Sequence, residues 1–210
     1  MQEITKYYKE HDMVRIACND CKGCSSCCVD MGDSVRITPF DMYQLLNHYE
    51  CTFQELLGSF IQISVVEGMI LPSMNMAEGT NRCKALTADG RCSIHEIRPS
   101  ICRLFPLGRQ YYSDHIEYFI LEGACPQKVK TKVKIDKWIQ TKNLTTQEQF
   151  LVTWHAFEKE VRAKLVTADE EYAKQLQMYV LQLFFVKKYT ADDFYTEFLD
   201  RIAEARDVIE

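Results

Sequence analysis

Long apolar runs are what this 210-residue sequence has least of. No stretch approaches the ~18 uninterrupted apolar residues that a membrane-crossing helix needs. The longest candidate, Tyr179 to Val186, is eight residues long and contains Gln182. Met1 to Asp12 carries Glu3, Lys6, Lys9, Glu10 and Asp12 and lacks the apolar stretch of a secretory signal. An excess of positive charge is missing as well. Lys plus Arg total 25 against 30 Asp plus Glu, a net charge of -5, which gives no reason to expect nucleic acid or an anionic membrane as partner. There is no P-loop, no GxGxxG, no Ser-His-Asp arrangement and no C-x3-C-x2-C radical pattern, so those enzyme classes gain no support. The expectation is a cytoplasmic protein of one domain with a helical extension, whose apolar fraction of 47% suffices for a sizeable core.

Against those absences stand ten cysteines. In a reducing cytosol thiols serve as ligands or catalytic groups more readily than as disulfides. Cys51, alone between two helical patterns, reads as a buried thiol acting as a small hydrophobe. Cys18, Cys21, Cys24, Cys27 and Cys28 do not, because Lys, Asp, Ser and Gly lie between them. A C-x2-C step turns the backbone so that two sulfurs face one metal, and Gly23 eases such a turn. Amide N–H groups exposed in the turn offset thiolate charge, and the metal itself lowers the thiol pKa. A second set, Cys83, Cys92, Cys102 and Cys125, is spread along the chain. Two arrangements are open: two four-sulfur sites, or one site drawing on both sets with the remaining cysteines around it.

The pattern predicts a short polar helix or loose arm over 1–12 and an irregular Cys-rich loop over 18–34. A short strand follows at 34–38, then a helix from Pro39 to Tyr49 behind Thr38 and a second short helix opened by the Thr52/Glu55 capping box. One or two strands are expected between Phe60 and Leu71 with a turn at Glu67-Gly68, and a loop over 72–82. Asp89-Gly90 reads as a turn, 94–98 as one helical turn and 111–121 as a strand. Beyond Val129 helical periodicity takes over in 146–165, 168–187 and, more loosely, 192–208. The fold class expected is mainly α with minor β, an irregular Cys-rich metal-binding lobe over residues 1–128 and a C-terminal helical lobe over 129–210. The aromatic stripe of those helices reads as a packing face, with a protein partner as the other use of it. His155 reads as structural, and His95-Glu96 as a surface turn rather than an acid/base pair.

Cys21-Lys-Gly-Cys24-Ser-Ser-Cys27-Cys28, then Cys83, Gly90, Cys92, Arg98-Pro99 and Cys102-Arg103-Leu-Phe105-Pro106, occur in an order that resembles the YkgJ-like cysteine-cluster family of CxxCxxCC zinc- or iron-chelating proteins. Thr38 and Asp41 sit where that family has a helix start. The resemblance covers about residues 18–125 and implies metal binding by Cys21, Cys24, Cys27, Cys28, Cys83, Cys92, Cys102 and Cys125. A tyrosine is common in the family where His95 stands here. A flagellin lysine methylase carries a similar cysteine signature linked to an iron–sulfur cluster.

All-sulfur ligation suits zinc or an iron–sulfur cluster and argues against Mg²⁺ or Ca²⁺. Cys18, Cys21, Cys24 and Cys28 also form the ferredoxin-type C-x2-C-x2-C-x3-C run, with Val29 in place of Pro and no second run. The family frame instead uses Cys27 and leaves Cys18 extra, and it also explains the distant cysteines. Adjacent side chains usually diverge, so Cys27 beside Cys28 tilts the expectation toward a cluster or two metals. Four thiolates on either centre leave a charge of -2, which Arg98 and Arg103, flanking Cys102, are placed to compensate, with Arg82 and Arg91 as weaker candidates. The reading is a cysteine-ligated metal-binding protein, redox-active or metal-handling. A zinc-stabilised interaction adaptor and an iron–sulfur-dependent modifying enzyme are the alternatives, and no catalytic residue stands out.

Overall fold

The computed structural model describes residues 4, 6–17, 24–128, 131–191 and 193–209; Cys18 and Cys21 lie outside the described residues. In chain order the elements are β1 (Met13–Ala17), α1 (Pro39–Tyr49), α2 (Phe53–Leu56), β2 (Ile61–Val66), β3 (Met69–Met74), β4 (Met76–Ala77) and β5 (Arg82–Cys83). There follow α3 (Ser100–Leu104), β6 (Leu107–Tyr111), β7 (Ile116–Ile120), β8 (Thr131–Lys134), α4 (Ile135–Ile139), α5 (Leu144–Thr167), α6 (Glu170–Leu181) and α7 (Phe194–Ile209). Single 3-10 turns occur at Ser26–Cys28 and His95–Ile97, and a π-helical segment, Gln182–Val186, continues α6. Helix accounts for 45% and strand for 21%, so helix dominates as expected.

Local chemistry sets the first elements. Thr38 Oγ1 accepts from Asp41 N (3.2 Å) while the Asp41 carboxylate accepts from Thr38 N (3.0 Å), a reciprocal capping box with Pro39 at the first helical position. Thr52 and Glu55 repeat the box at α2. The β2–β3 ladder runs in register to Val66↔Met69, leaving Glu67 (φ 51°) and Gly68 (φ 84°) as a two-residue type I′ turn. The hairpin reaches Met74, so 72–82 is not simply a loop. Of the strand expected at 111–121, only Ile116–Ile120 forms an arm of the β6–β7 hairpin; Tyr111 ends the other arm, and the turn lies between them. Gly108 pairs with Phe119 there, and an added Cβ would meet the Phe119 ring at 2.3 Å. Over 34–38 the extended pairing is a single bridge, Arg36↔Ser73.

Of the 1–12 segment, expected as a short polar helix or loose arm, the described residues form no helix: Tyr8 bridges to Tyr118, and β1 pairs antiparallel with β8 from Met13↔Lys134 to Ala17↔Thr131. The ladder ties the chain on either side of the cysteine-bearing stretch. α3, β8 and α4 were not foreseen.

Helix α5 buries Phe150, Leu151, Trp154, Phe157 and Val161 at spacings of three and four, against α7 and the π-helical segment. Trp154 lies 5.1 Å from Phe184, and Phe150 lies 4.6 Å edge-on to Phe198. Phe40 of α1 stacks on Tyr195 of α7 (5.5 Å, 15°), so these helices share one core with the N-terminal part. The aromatic stripe is therefore interior packing, each ring contributing about 2 kcal/mol by burial. The end of the π-helical segment is closed by Arg201, 2% exposed, which donates to the carbonyls of Leu183, Lys187 (2.8 Å) and Lys188 (2.6 Å) and pairs with Glu197.

Candidate metal centre

Separate pieces of chain bring the cysteines together. The 3-10 turn Ser26–Cys28 carries Cys27 and Cys28, and the Val29↔Arg82 bridge with Asp30 N→Asn81 O (2.9 Å) lays that turn beside Cys83. The chain turns at Asp89-Gly90 and returns through the Leu86↔Cys92 bridge, with Ser93 N donating to Ala85 O (2.8 Å), so Cys92 comes back beside Cys83. Cys102 arrives on α3. The buried carboxylate of Asp41 accepts from Ser100 N (2.9 Å) and Ser100 Oγ (3.2 Å), fastening the first turn of α3 to the first turn of α1. Burial raises the Asp41 carboxyl above the usual carboxylate range, against the pull of the Thr38 and Ser100 donors and of Arg109.

Cys24, Cys27, Cys28, Cys83, Cys92 and Cys102 line one cavity of about 1040 Å³, together with His95 and Arg98. Cys24 and Cys27 also border a small adjoining cavity of about 20 Å³ whose other wall includes Cys125. Six described cysteines of the two sets thus line one cavity, Cys125 borders the small adjoining one, and all are free thiols. Cys51 lines neither cavity.

The thiols sense one another. Burial pushes Cys83, Cys92 and Cys102 upward, and the charge of Cys27 adds to the rise of each. Cys27 and Cys28 have sulfurs 3.8 Å apart, within hydrogen-bonding reach of each other. The hydrogen bond from Cys28, with help from Arg98, draws Cys27 down to about 6, while Cys28 is pushed up. The backbone and hydroxyl of Ser26 hold Cys24 low. Neighbouring side chains were expected to diverge at 27–28; here the turn aims both sulfurs to the same side.

Arg98 acts on Cys27 and Cys92 by charge, and its Nη1 meets His95 Nε2. Burial and Arg98 keep His95 neutral to lower pH than usual. Arg103 spends hydrogen bonds on the carbonyls of Glu96 and Gln140, bracing the turn before α3 while adding positive charge near Cys102. Arg91 lines the cavity and Arg82 pairs in β5. Sequence reasoning placed Asp41 at a helix start but missed its tether to Ser100, since nothing local marks a partner so far along the chain.

The donor set is soft, half-buried sulfur with a guanidinium at its edge. Thiolates held there need a cation, which fits zinc or iron and not Mg²⁺ or Ca²⁺. Among the described residues no three His, Cys, Asp or Glu side chains yet stand close enough together to share one ion.

No curated protein and no solved structure is significantly similar to the chain. A family model, "CxxCxxCC: Putative zinc- or iron-chelating domain", matches residues 20–126, about half of the chain. That span holds every cysteine from Cys21 to Cys125, and on it we conclude that the chain belongs to the CxxCxxCC family of zinc- or iron-chelating domains.

Proposed function

We propose that the protein holds a thiolate-bound metal centre built on Cys27 and Cys28 with Cys83, Cys92 and Cys102, that Cys24 and Cys125 complete it from the adjoining side, and that Cys21 is a further ligand. One observation carries the reading: thiols from separate stretches line a single cavity and influence one another's protonation. The 3.8 Å Sγ–Sγ separation of Cys27 and Cys28 favours a single tetrahedral ion. Metal–sulfur bonds of about 2.3 Å at the tetrahedral angle set two ligand sulfurs about 3.8 Å apart. Zinc would supply a redox-silent cross-link there; iron would supply an electron-transfer centre.

The second reading, an iron–sulfur cluster or a pair of metals, is favoured by the donor count. Eight candidate cysteines exceed the four that one ion takes. Around either centre the protein's own groups perform the same tasks. Arg98 compensates thiolate charge, Ser26 supports a Cys24 thiolate, and Asp41 fixes α3 so that Cys102 faces the others. The role that follows is metal handling or electron transfer, with the adaptor scaffold as the zinc-only outcome.

Elemental analysis and absorption spectra of anaerobic and aerobic preparations test this. Stoichiometric zinc in colourless protein supports the single ion, and iron with sulfur-to-iron charge-transfer bands supports the cluster. Protein free of both under both regimes sinks the proposal.

A further inference from the structure

Strand β2 forms the open edge of its sheet. Across the tight turn, Val66 and Met69 exchange both ladder bonds, so Ser64 and Gln62 also bond to β3 while Ile63 and Val65 turn their N–H and C=O groups away from it. The far side of β3 shows the same phase. Opposite Val65, Ile70 N donates outward to Gln177 Oε1 (3.1 Å). Opposite Ile63, Pro72 has no N–H, and its carbonyl accepts from Ile37 N (2.9 Å). Opposite Ile61, Met74 N donates outward to Val35 O (2.9 Å). The outer edge of β3 is therefore occupied. That of β2 is not: among the described residues nothing bonds to the backbone of Ile63 or Val65.

The free stretch has fixed ends. Gly58 N donates to Ile61 O (2.8 Å) at one, and the Glu67-Gly68 turn closes the other. Ile63 (39% exposed) and Val65 (68% exposed) project from one face of it. Charged side chains and proline, which ordinarily protect an exposed edge, do not occur from Ile61 to Val66.

We infer that this edge pairs antiparallel with the same edge of a second copy of the chain, about a two-fold axis through Ser64. The stretch between its fixed ends centres on that residue. In this register Ile63 stands opposite the copy's Val65 and Val65 opposite its Ile63, so each outward N–H meets a C=O. The neighbouring registers set Val65 against Ile61, whose carbonyl is already taken, or Ile63 against Glu67 in the turn. Charge favours a second copy as well. Self-pairing brings no like charges face to face, whereas a charged peptide finds no counter-charge along β2. Ser64 Oγ, buried without a partner, comes opposite the copy's hydroxyl at the axis. Because the outer edge of β3 is taken, association stops at two.

Sedimentation velocity of the full metal-loaded protein over a concentration series tests the inference. A reversible monomer–dimer equilibrium is expected, with a Kd on the order of 100 µM, at the weak end for specific association because the interface is small. Val65→Lys should weaken it at least ~10-fold by placing charge on the edge. Val65→Pro should do the same, since it deletes an outward N–H that β3 never uses. Val65→Lys, at an exposed side chain, decides the matter if the proline variant fails to fold. In parallel, the amides of Ile63 and Val65 should gain protection from hydrogen exchange as concentration rises, while that of Ser64 stays protected throughout. A monomer at every concentration up to about 1 mM, species larger than a dimer, or a dimer unchanged in folded Val65 variants would overturn it. No candidate thiol lies on β2 or β3, so failure of the metal proposal leaves this one standing.

Discussion

Burial raises the thiols of Cys83, Cys92 and Cys102, so at neutral pH they carry protons that an incoming metal must displace. Cys102 sits deepest among them. Cys102→Ser should therefore lose most of the bound metal and lower the thermal midpoint, whereas Cys51→Ser should keep full stoichiometry; metal analysis of the two purified variants decides, and equal metal in both refutes the assignment. A different residue contributes to the pH response of the packed helices. Burial first, then Lys159 and Arg162, lowers the pKa of His155. The unfolded chain thus binds a proton at a higher pH than the folded one. This contribution to stability is complete above the ordinary imidazole value of about 6.5 and is lost as pH falls through and below it. His155→Phe, which keeps a ring against Tyr111, should flatten the decline of the thermal midpoint between about pH 7 and 5. Parallel declines in both proteins would discount His155. The early cysteines stood out from their spacing, since C-x2-C is a local geometric instruction. The Asp41–Ser100 bond was not, because its partners stand 59 residues apart and neither is unusual on its own.

Elements whose signals are local came through from the sequence. Helix α1 was bounded at both ends because Thr38, Pro39 and Asp41 form a self-contained start, and the β2–β3 turn because Glu67-Gly68 meets a left-handed requirement at both positions. Pairing of β1 with β8 and the placing of α3 depend on distant partners and stayed hidden. Two tests belong here. Asp41→Ala strips buried N–H groups of Thr38 and Ser100 of their acceptor, so it should cost about 3 kcal/mol in denaturant unfolding. It should also loosen metal binding through Cys102; unchanged stability and affinity would mean α3 is held otherwise. Arg201→Leu leaves the carbonyls ending the π-helical segment without their donor and the Glu197 carboxylate with only the backbone donors of Thr190 and Ala191. A loss of about 3–5 kcal/mol is expected. Arg201→Lys should recover little of it, since one ammonium cannot replace the forked donors that reach Leu183, Lys187 and Lys188. Full rescue by lysine would show that charge alone matters.

At the scale of the molecule, most of the core packing is made by elements other than the cysteine-bearing turns. The aromatic core spans α1, α5, the π-helical segment and α7, and the small hairpins carry their own ladders. Removing metal with a strong chelator should lower the thermal midpoint, because a ligand bound only by the folded state stabilises it. Far-UV circular dichroism should meanwhile retain nearly all its helical signal. Collapse of that signal on chelation would show that the thiol centre holds the fold rather than being held by it.

The antiparallel ladder of Met13–Ala17 with Thr131–Lys134 works as a drawstring. It gathers the neck of a loop more than a hundred residues long, and the entropic toll of bringing those ends together rises only slowly with the length enclosed. What lies inside the gathered neck is therefore free to lengthen or shorten between β-turns without forcing the neck open, so inserted or deleted surface residues there should be tolerated far better than any cut through the drawstring itself.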